Sequence, residues 1–381
     1  MTSVNILPKI LVISNYRSTI GVRPEAEIFI GLARLGFDVE IMTYGDAEYV
    51  SAFREAGIKV IDFHPSRKFD RKAVAMIRER LVDGGHNILQ MYNSKAYFNG
   101  LRAAKRLPVK VVFYRGTQAN IHWYDPTLYL KYFHPRVDKV ICNSLSVEEE
   151  FKTQAKFIDK NKFITINKGH RPAWYEGIEP ADLRTFGVKS GSFVFVTIAN
   201  ARRVKGVIYL MKAINLLPPG MDIYVLLVGR GLETPEFRKL ADQSSYGDRI
   251  IFTGFQPNPL EIDRACDVAI LTSISAESLT KSVIEAMGVG TTPLITNIPG
   301  NRYLLEHAKS GLLVPPKNPQ ALADAMLLLF EKKTWCTEMG EAARERLTSK
   351  LHIDRTISEY AEFYSDLITE NPVYKSKFDV L

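Results

Sequence analysis

Residues 276–297 read AESLTKSVIEAMGVGTTPLITN. A short loop carrying Glu277 leads into an apolar helix, Gly290 stops that helix, and a β-branched run to Thr296 follows. A helix handed directly to a buried strand is half of a repeating α/β unit. One residue does not fit the apolar pattern. Glu285 stands beside Val283, Ile284, Ala286 and Met287, where an unpartnered carboxylate is costly to bury. A second carboxylate, Glu277, precedes it by about two helical turns.

The same alternation extends in both directions. Upstream lie FVFVTIAN, DIYVLLVG, RIIFTGF and DVAILTS, with helices after Gly206 and from Pro235; downstream lies GLLV. The first half repeats the theme with KILVISNY, FDVEIMTY, KVIDF, NILQMY, KVVFYRG and KVICNS. These runs are short and β-branched, as strands buried on both faces are. Helices are expected from an opening near Pro24 to Gly36, around EYVSAFREAG and over 71–82. The pattern predicts two parallel sheets, each covered by helices. Between them NKGHRPAWYEGIEPADLRTFG breaks the alternation with Gly, Pro and charged residues, and is read as the linker. The domains are then 1–172 and 173–355.

The bulk numbers agree with two domains. At 381 residues the chain exceeds one comfortable core. No apolar run approaches the roughly 18 residues needed to span a bilayer, and the N-terminus reads as a first strand, not a leader. Cys142, Cys266 and Cys336 are widely spaced, which argues against a disulfide framework or a zinc site and fits a reducing cytoplasm. The formal charge of +8 permits anionic partners. No nucleic-acid recognition module accompanies it, so nucleic acid is not expected.

Ligands of open α/β sheets bind outside the carboxyl ends of the strands, so the loops there bear the chemistry. After LVISN, Gly21 precedes a helix whose start would suit an anion; neither GxGxxG nor a Walker A pattern is present, and a simple turn reads equally well. After FVFVTIAN, Arg202, Arg203 and Lys205 crowd before Gly206. Such like charges call for a counter-anion, which a diphosphate supplies; a solvated loop is the alternative. In SLTKS, the amides around Thr280, Lys281 and Ser282 would open a helix, where a phosphate sits well. A carboxylate accepts two hydroxyls at once, which suits vicinal sugar hydroxyls. Equally acceptable physically is one Glu as a helix cap and the other paired with an arginine. No Asp/Glu–x–Asp motif lies beside these loops, so no metal and no cofactor are expected.

RGTQANIHWYDPTLYLKYFHPR mixes aromatic residues with Arg115, Lys131 and Arg136. It suits stacking on a glycan, contact with an anionic membrane surface, or simple packing on its own domain.

Taken together, the motifs resemble a known family. Glu277 to Glu285 is similar to the E-x7-E arrangement of the retaining nucleotide-sugar glycosyltransferases of family 4. VIEAMGVGTTPLITNIPGNRYLLEHAKSGLLVPPKNPQALADAM resembles that family's run from the second glutamate onward. LLVGRG with RIIFTGF, KGVIYLMKAI and ITINKGHRPAWY resemble its upstream segments. The likeness is strong over the second half of the chain and looser over the first. It implies the GT-B fold, two Rossmann-like domains with parallel sheets facing across a cleft, and a last helix around 356–381 that packs back on the first domain.

By that resemblance Glu285 would hold ribose hydroxyls and Glu277 would lie against the donor sugar. Lys205 with Arg203 or Arg202 would clamp the diphosphate, helped by backbone groups near Thr280, Lys281 and Ser282. Gly21 would approach the phosphates, and Gly254 and Phe255 the base. Three positions depart from the family pattern. Asn200 replaces an arginine, a single Gly21 replaces a Gly-Gly loop, and Arg115 stands where a histidine is usual; His122 is the candidate substitute. The implied reaction moves a hexose-like sugar from a UDP or GDP carrier to a hydroxyl of a glycan or lipid-linked acceptor, without metal. The implied location is cytoplasmic, with peripheral contact at the inner membrane face. The rival readings are a dinucleotide-dependent oxidoreductase, disfavoured by the absent GxGxxG, and a catalytically silent sugar-nucleotide or glycan binder.

Overall fold

The structure is a computed structural model describing residues 7–17 and 19–369. The readings placed on 1–6, on Ser18 and on 370–381 lie outside the described residues. The chain divides into two compact units, and it crosses between them at Gly169–His170 and again at His352–Ile353.

The first unit carries β1 (Lys9–Ile13), β2 (Asp38–Thr43), β3 (Lys59–Asp62), β4 (Ile88–Met91), β5 (Lys110–Arg115), β6 (Lys139–Cys142) and β7 (Phe163–Thr165). All pair in parallel, in the order β3-β2-β1-β4-β5-β6-β7. Its helices are α1 (Thr19–Arg34), α2 (Val50–Glu55), α3 (Arg71–Asp83), α4 (Ser94–Ala103), α5 (Pro126–Tyr129) and α6 (Leu145–Gln154). Both faces of the sheet are covered. Leu11 and Ile13 of β1 enter one core, while Ile10 and Val12 enter the opposite one. The period-2 alternation of a strand produces this directly. Each such side chain contributes about 1.5–3 kcal/mol by leaving water.

The second unit repeats the architecture with six parallel strands. They are β8 (Phe193–Ile198), β9 (Ile223–Val228), β10 (Ile250–Gly254), β11 (Val268–Leu271), β12 (Thr292–Thr296) and β13 (Leu312–Val314). Their order is β10-β9-β8-β11-β12-β13. The helices are α7 (Val207–Ile214), α8 (Pro235–Asp242), α9 (Pro259–Ala265), α10 (Lys281–Val289), α11 (Pro299–Arg302), α12 (Pro319–Glu331) and α13 (Lys333–Lys350). Phe193 and Phe195 face one core, Val194 and Val196 the other. Both units are thus Rossmann-like and α/β, as the strand pattern suggests.

After the second crossing α14 (Ile353–Thr369) belongs to the first unit. It lies on α1 so closely that a Cβ at Gly31 would fall 2.3 Å from Ile357 Cδ1. Tyr360 and Tyr364 are buried there, and Tyr364 Oη donates to Gln90 Oε1 at 3.0 Å.

One expectation needs correction. Helix α1 opens at Thr19, not near Pro24, which lies inside it. Proline removes one amide from the ladder, and the buried Ala26, Ile28, Phe29 and Leu32 hold the helix in place. Gly21 is therefore in the first turn of α1 and not in a loop; it is exposed, with open space where a Cβ would point. The crossing at Gly169–His170 falls within the stretch 167–187 read as the linker. Tyr175 is buried with its ring against Gly288 of α10, where a Cβ would meet it at 2.4 Å. Beyond Gly169, then, the segment is packed against the second unit.

Candidate functional site

In the second sheet the strand order reverses between β8 and β11, and ligands of open α/β sheets occupy that switch point at the carboxyl ends. The loops leaving those two strands are stitched together. Ile274 N donates to Val204 O at 2.8 Å, and Thr272 Oγ1 donates to Lys205 O at 3.0 Å. Their approach depends on Gly206, whose φ is +62°. A Cβ there would fall 2.2 Å from Thr272 O. Only glycine tolerates both the left-handed backbone and the contact.

This closeness brings Lys205 to Glu277. Lys205 is buried, and its Nζ lies 2.6 Å from Glu277 Oε1. Ser273 Oγ donates to the same oxygen at 2.8 Å. Thr280 Oγ1 stands 3.2 Å from Oε2. Ala276 just before it has a φ of +64°, uncommon for a residue with a Cβ, and the turn so formed presents Glu277. From the far side, Gly300 of α11 sits on the Glu277 backbone; a Cβ there would be 2.1 Å from Glu277 O.

Helix α10 begins immediately after this loop. Its N-cap, Thr280, makes no side-chain cap, and no acidic residue occupies the first turn. The Thr280 hydroxyl is turned instead toward Glu277 and Asn301. The first-turn residue Lys281 opposes the helix dipole, where an anion would be favoured. Lys281 Nζ pairs with Glu285 Oε1 across one turn, in the less favourable order of charges along a helix. This is the partner that lets Glu285 sit among apolar neighbours.

Next to Glu285, Asp263 of α9 is fully buried, and its Oδ1 has no hydrogen-bond partner. Burial pushes its carboxyl well above the usual carboxylate range, and the charge of Glu285 adds to the rise. Asp263 borders a small cavity beneath the start of α10, lined also by Ile198, Leu271 and Ser282.

The remaining residues singled out from sequence fall in several places. Arg202 and Arg203 are exposed on the β8 loop, with no ion-pair partner among the described residues. Gly254, with a φ of +67°, and Phe255 leave the end of β10. Phe255 is 60% exposed, and the Arg230 guanidinium lies 4.4 Å over its ring. Gly229 N donates to Gly254 O at 2.8 Å, and Ala201 N to Arg230 O at 3.1 Å. The loops after β8, β9 and β10 thereby form one rim, joined by the β11 loop at the switch point.

In the first unit, Arg115 ends β5 and is engaged by its own loop. It donates to Thr117 O at 2.8 Å and to Ala119 O, and its guanidinium lies 5.3 Å from the Tyr132 ring centroid. His122 is exposed and stacks on Tyr124. Among the described residues no group of three or more His, Cys, Asp or Glu side chains gathers as a metal set, and no helix is long and apolar enough to cross a membrane.

Sequence reasoning missed Ser273, Asp263 and Asn301. The loop after β12 lies at a carboxyl end like those after β8 and β11, and that signal points to Asn301. Nothing in the sequence marks Asp263.

Comparison with known proteins gives these geometries a family. The family model for glycosyl transferases group 1 matches residues 180–346, and that for Glycosyltransferase Family 4 matches residues 26–172. N-acetyl-alpha-D-glucosaminyl L-malate synthase of Bacillus anthracis is 27% identical over 188 residues, 49% of this chain and 49% of that protein. The lipopolysaccharide core biosynthesis glycosyltransferase LpsE of Rhizobium meliloti is 23% identical over 242 residues, 61% of this chain and 65% of that protein. The chain thus spans about half to two thirds of the length of these relatives. The Anabaena protein HepE, solved with UDP, superposes with a TM-score of 0.76 at 19% identity, covering 94% of this chain and 100% of that one. With both units matched by the paired family models and the fold shared, the chain belongs to the family 4, group 1 glycosyltransferases of GT-B type.

Proposed function

We propose that the chain is a retaining glycosyltransferase that moves a hexose-like sugar from a UDP or GDP carrier to a hydroxyl of a glycan or lipid-linked acceptor. The observation that carries this reading is the Lys205–Glu277 pair at the β8/β11 switch point, beside the uncapped start of α10. Lys205, the exposed Arg202 and Arg203, and the first-turn amides of α10 offer positive charge to a diphosphate. Glu285, one turn beyond Lys281, exchanges that partner for ribose hydroxyls, and Phe255 offers a ring face to the base. The UDP complex of the similar HepE fold supports a nucleoside diphosphate carrier.

In the reaction, the bond from the sugar's anomeric carbon to the diphosphate oxygen breaks. A bond to the acceptor oxygen forms on the same face, and the acceptor's proton passes to the departing phosphate. Lys205 and the α10 amides stabilise the charge that develops on the leaving group, so basic residues act where a metal would otherwise serve. Glu277 fixes the sugar.

For a lipid-linked acceptor the exposed aromatic patch of the first unit offers a bilayer contact. Trp123 and Phe157 are 41% and 80% exposed, and Lys156 Nζ lies 4.2 Å over the Trp123 ring. Apolar rings flanked by cations suit an anionic surface. Co-sedimentation with phosphatidylglycerol vesicles, reduced by Phe157→Ser, checks this part.

The test of the main reading is a thermal-shift screen against nucleotide sugars, followed by assay of nucleoside diphosphate release with acceptor. Selective stabilisation by one donor and acceptor-dependent release are expected. Stabilisation without release under any acceptor would favour a silent binder instead.

A further inference from the structure

Asp263 of α9 is 1% exposed, and its Oδ1 has no hydrogen-bond partner among the described residues. A carboxylate held in this way is costly, because neither solvent nor a donor offsets its charge. The cavity it borders supplies little relief. Strands β8 and β11 line it with apolar side chains only, and α10 adds Ser282 and Val283. With about 10 Å³ open to the centre of a water molecule, it has room for one water. That is enough for an acid proton to bond and too little to hydrate an ion.

Few charges face this carboxyl. On α10, Ser282 and Glu285 are three residues apart and share a helix face, and the negative charge of Glu285 reaches Asp263. Lys281 Nζ pairs with Glu285 Oε1 and offsets that charge. On its own helix, Arg264 Nη1 is turned to Val289 O at 3.3 Å, and Glu261, two residues back, belongs to another face. Beyond the helix, Cys266 is a buried thiol kept neutral by burial and by the acidic groups beside it. Asp267 Oδ2 accepts from Val194 N at 2.7 Å. No cation is therefore directed at Asp263, and burial together with Glu285 raises its carboxyl well above the usual carboxylate range.

Resting on the donor site proposed above, we infer that Asp263 is a positioning residue that works as a neutral acid: a nucleoside diphosphate binds while Asp263 carries its proton, and ionised Asp263 opposes it through Glu285 and the start of α10. In the free chain Lys281 shields Glu285 from Asp263. Ribose hydroxyls that replace Lys281 carry no charge, so Glu285 then acts on Asp263 unshielded. The diphosphate brings further negative charge to the same turn. Both changes hold the proton on Asp263 more tightly, and by reciprocity the proton favours the nucleotide. Affinity is thus full below the folded pKa of Asp263 and declines as pH rises through it. Asp263 touches neither phosphate nor sugar in this scheme.

The experiment titrates UDP and GDP by calorimetry into the full chain and into Asp263→Asn, from about pH 6 to about pH 9. For the nucleotide that binds, the ratio of unmodified to variant affinity is expected to be near one at about pH 6 and at least about threefold lower at about pH 9. Ionisation of the nucleotide's own phosphate cancels in this ratio. Repeated near pH 8 to 9 in buffers of unequal ionisation enthalpy, the unmodified chain takes up more protons on binding than Asp263→Asn does. A carboxyl that only supports the fold moves neither quantity. A ratio constant across the range, or equal proton uptake by the two proteins, overturns the inference and leaves the donor site standing. Should Asp263→Asn fail to fold, absence of proton uptake by the unmodified chain overturns it by itself. If neither nucleotide binds the unmodified chain even at about pH 6, the proposed donor site falls, and this inference with it.

Discussion

Lys205 Nζ and Glu277 Oε1 meet at 2.6 Å although the residues are 72 positions apart in the chain. The two side chains are 10% and 12% exposed, so each is largely removed from water. A pair of this kind adds little stability by itself, because desolvation offsets most of the attraction. Its place at the switch point supports its proposed role at the donor site. Removing one partner strands the other. Lys205→Met is expected to cost about 3 kcal/mol in urea unfolding and to lower transfer by at least about a hundredfold. Unchanged stability together with unchanged turnover would mean that the pair is neither buried nor used.

Glu285 offers the opposite signature. Its pairing with Lys281 is a partly exposed contact across one turn, worth only about 0.2–0.5 kcal/mol. Glu285→Ala should therefore unfold at nearly the same urea concentration as the unmodified protein, yet lose transfer and bind the nucleotide more weakly. A variant with full activity would remove Glu285 from the donor site.

Gly206 tests the scaffold. Its φ is +62°, and an added methyl would lie 2.2 Å from Thr272 O, so Gly206→Ala must push the β8 and β11 loops apart or fail to fold. A loss of more than about 2 kcal/mol is expected, with transfer falling even where the fold survives at low temperature. Gly254→Ala is the control. It shares the left-handed backbone but has open space around it, and should cost only about 1–2 kcal/mol.

Much of this architecture was legible from residues alone. Strands such as FVFVTIAN and DVAILTS are apolar on both faces, and only a parallel sheet covered by helices accommodates them. The apolar run by itself put Glu277 in a loop and Glu285 within the helix that follows, as α10 has them. What stayed hidden depends on three-dimensional closeness. Lys205 meets Glu277 only because β8 and β11 are neighbours, a strand order that no local pattern encodes. The partner of Glu285 is one turn away in Lys281, a spacing so common on helices that it marks no site by itself. Pro24 misled the reading of α1, since proline marks a helix start more often than it sits within one. Asn301 follows a Pro-Gly pair that reads as an ordinary turn.

A buried histidine in the first unit gives a pH prediction. His64 Nδ1 lies 3.0 Å from Pro65 O, and Asn93 Nδ2 lies 3.0 Å from His64 Nε2. With Nδ1 donating to the carbonyl and Nε2 accepting from the amide, the neutral ring is satisfied on both sides. Burial depresses its pKa to about 4, with the charges of Lys95 and Arg17 acting in the same sense and the Pro65 carbonyl opposing. A depressed value means that the unfolded chain takes up the proton first. Stability is thus held above about pH 6.5 and lost as pH falls toward 4, by up to roughly 3 kcal/mol. The His64 ring protons should not titrate by NMR between about pH 5.5 and 8; a midpoint above 6 would contradict this.

Asp263 has the opposite sign. Its carboxyl is raised by burial and by Glu285, so above about pH 4 the unfolded state releases a proton that the folded state keeps. Stability then declines with rising pH, by at most about 1.4 kcal/mol per unit, until the folded carboxyl ionises. Asp263→Asn should match the unmodified protein near pH 4 and become the more stable of the two by pH 7. Parallel stability curves for the two proteins would mean that this carboxyl titrates normally.

The account stands or falls on where the nucleotide sits, and a crystal structure grown with saturating UDP, or GDP if the thermal screen selects it, reads that directly. A phosphate oxygen within hydrogen-bond distance of Lys205 Nζ or of the first-turn amides of α10, with ribose hydroxyls on Glu285 in place of Lys281, is the expected result. Nucleotide density elsewhere on the chain, with the Lys281–Glu285 pair intact and the α10 start empty, would contradict it.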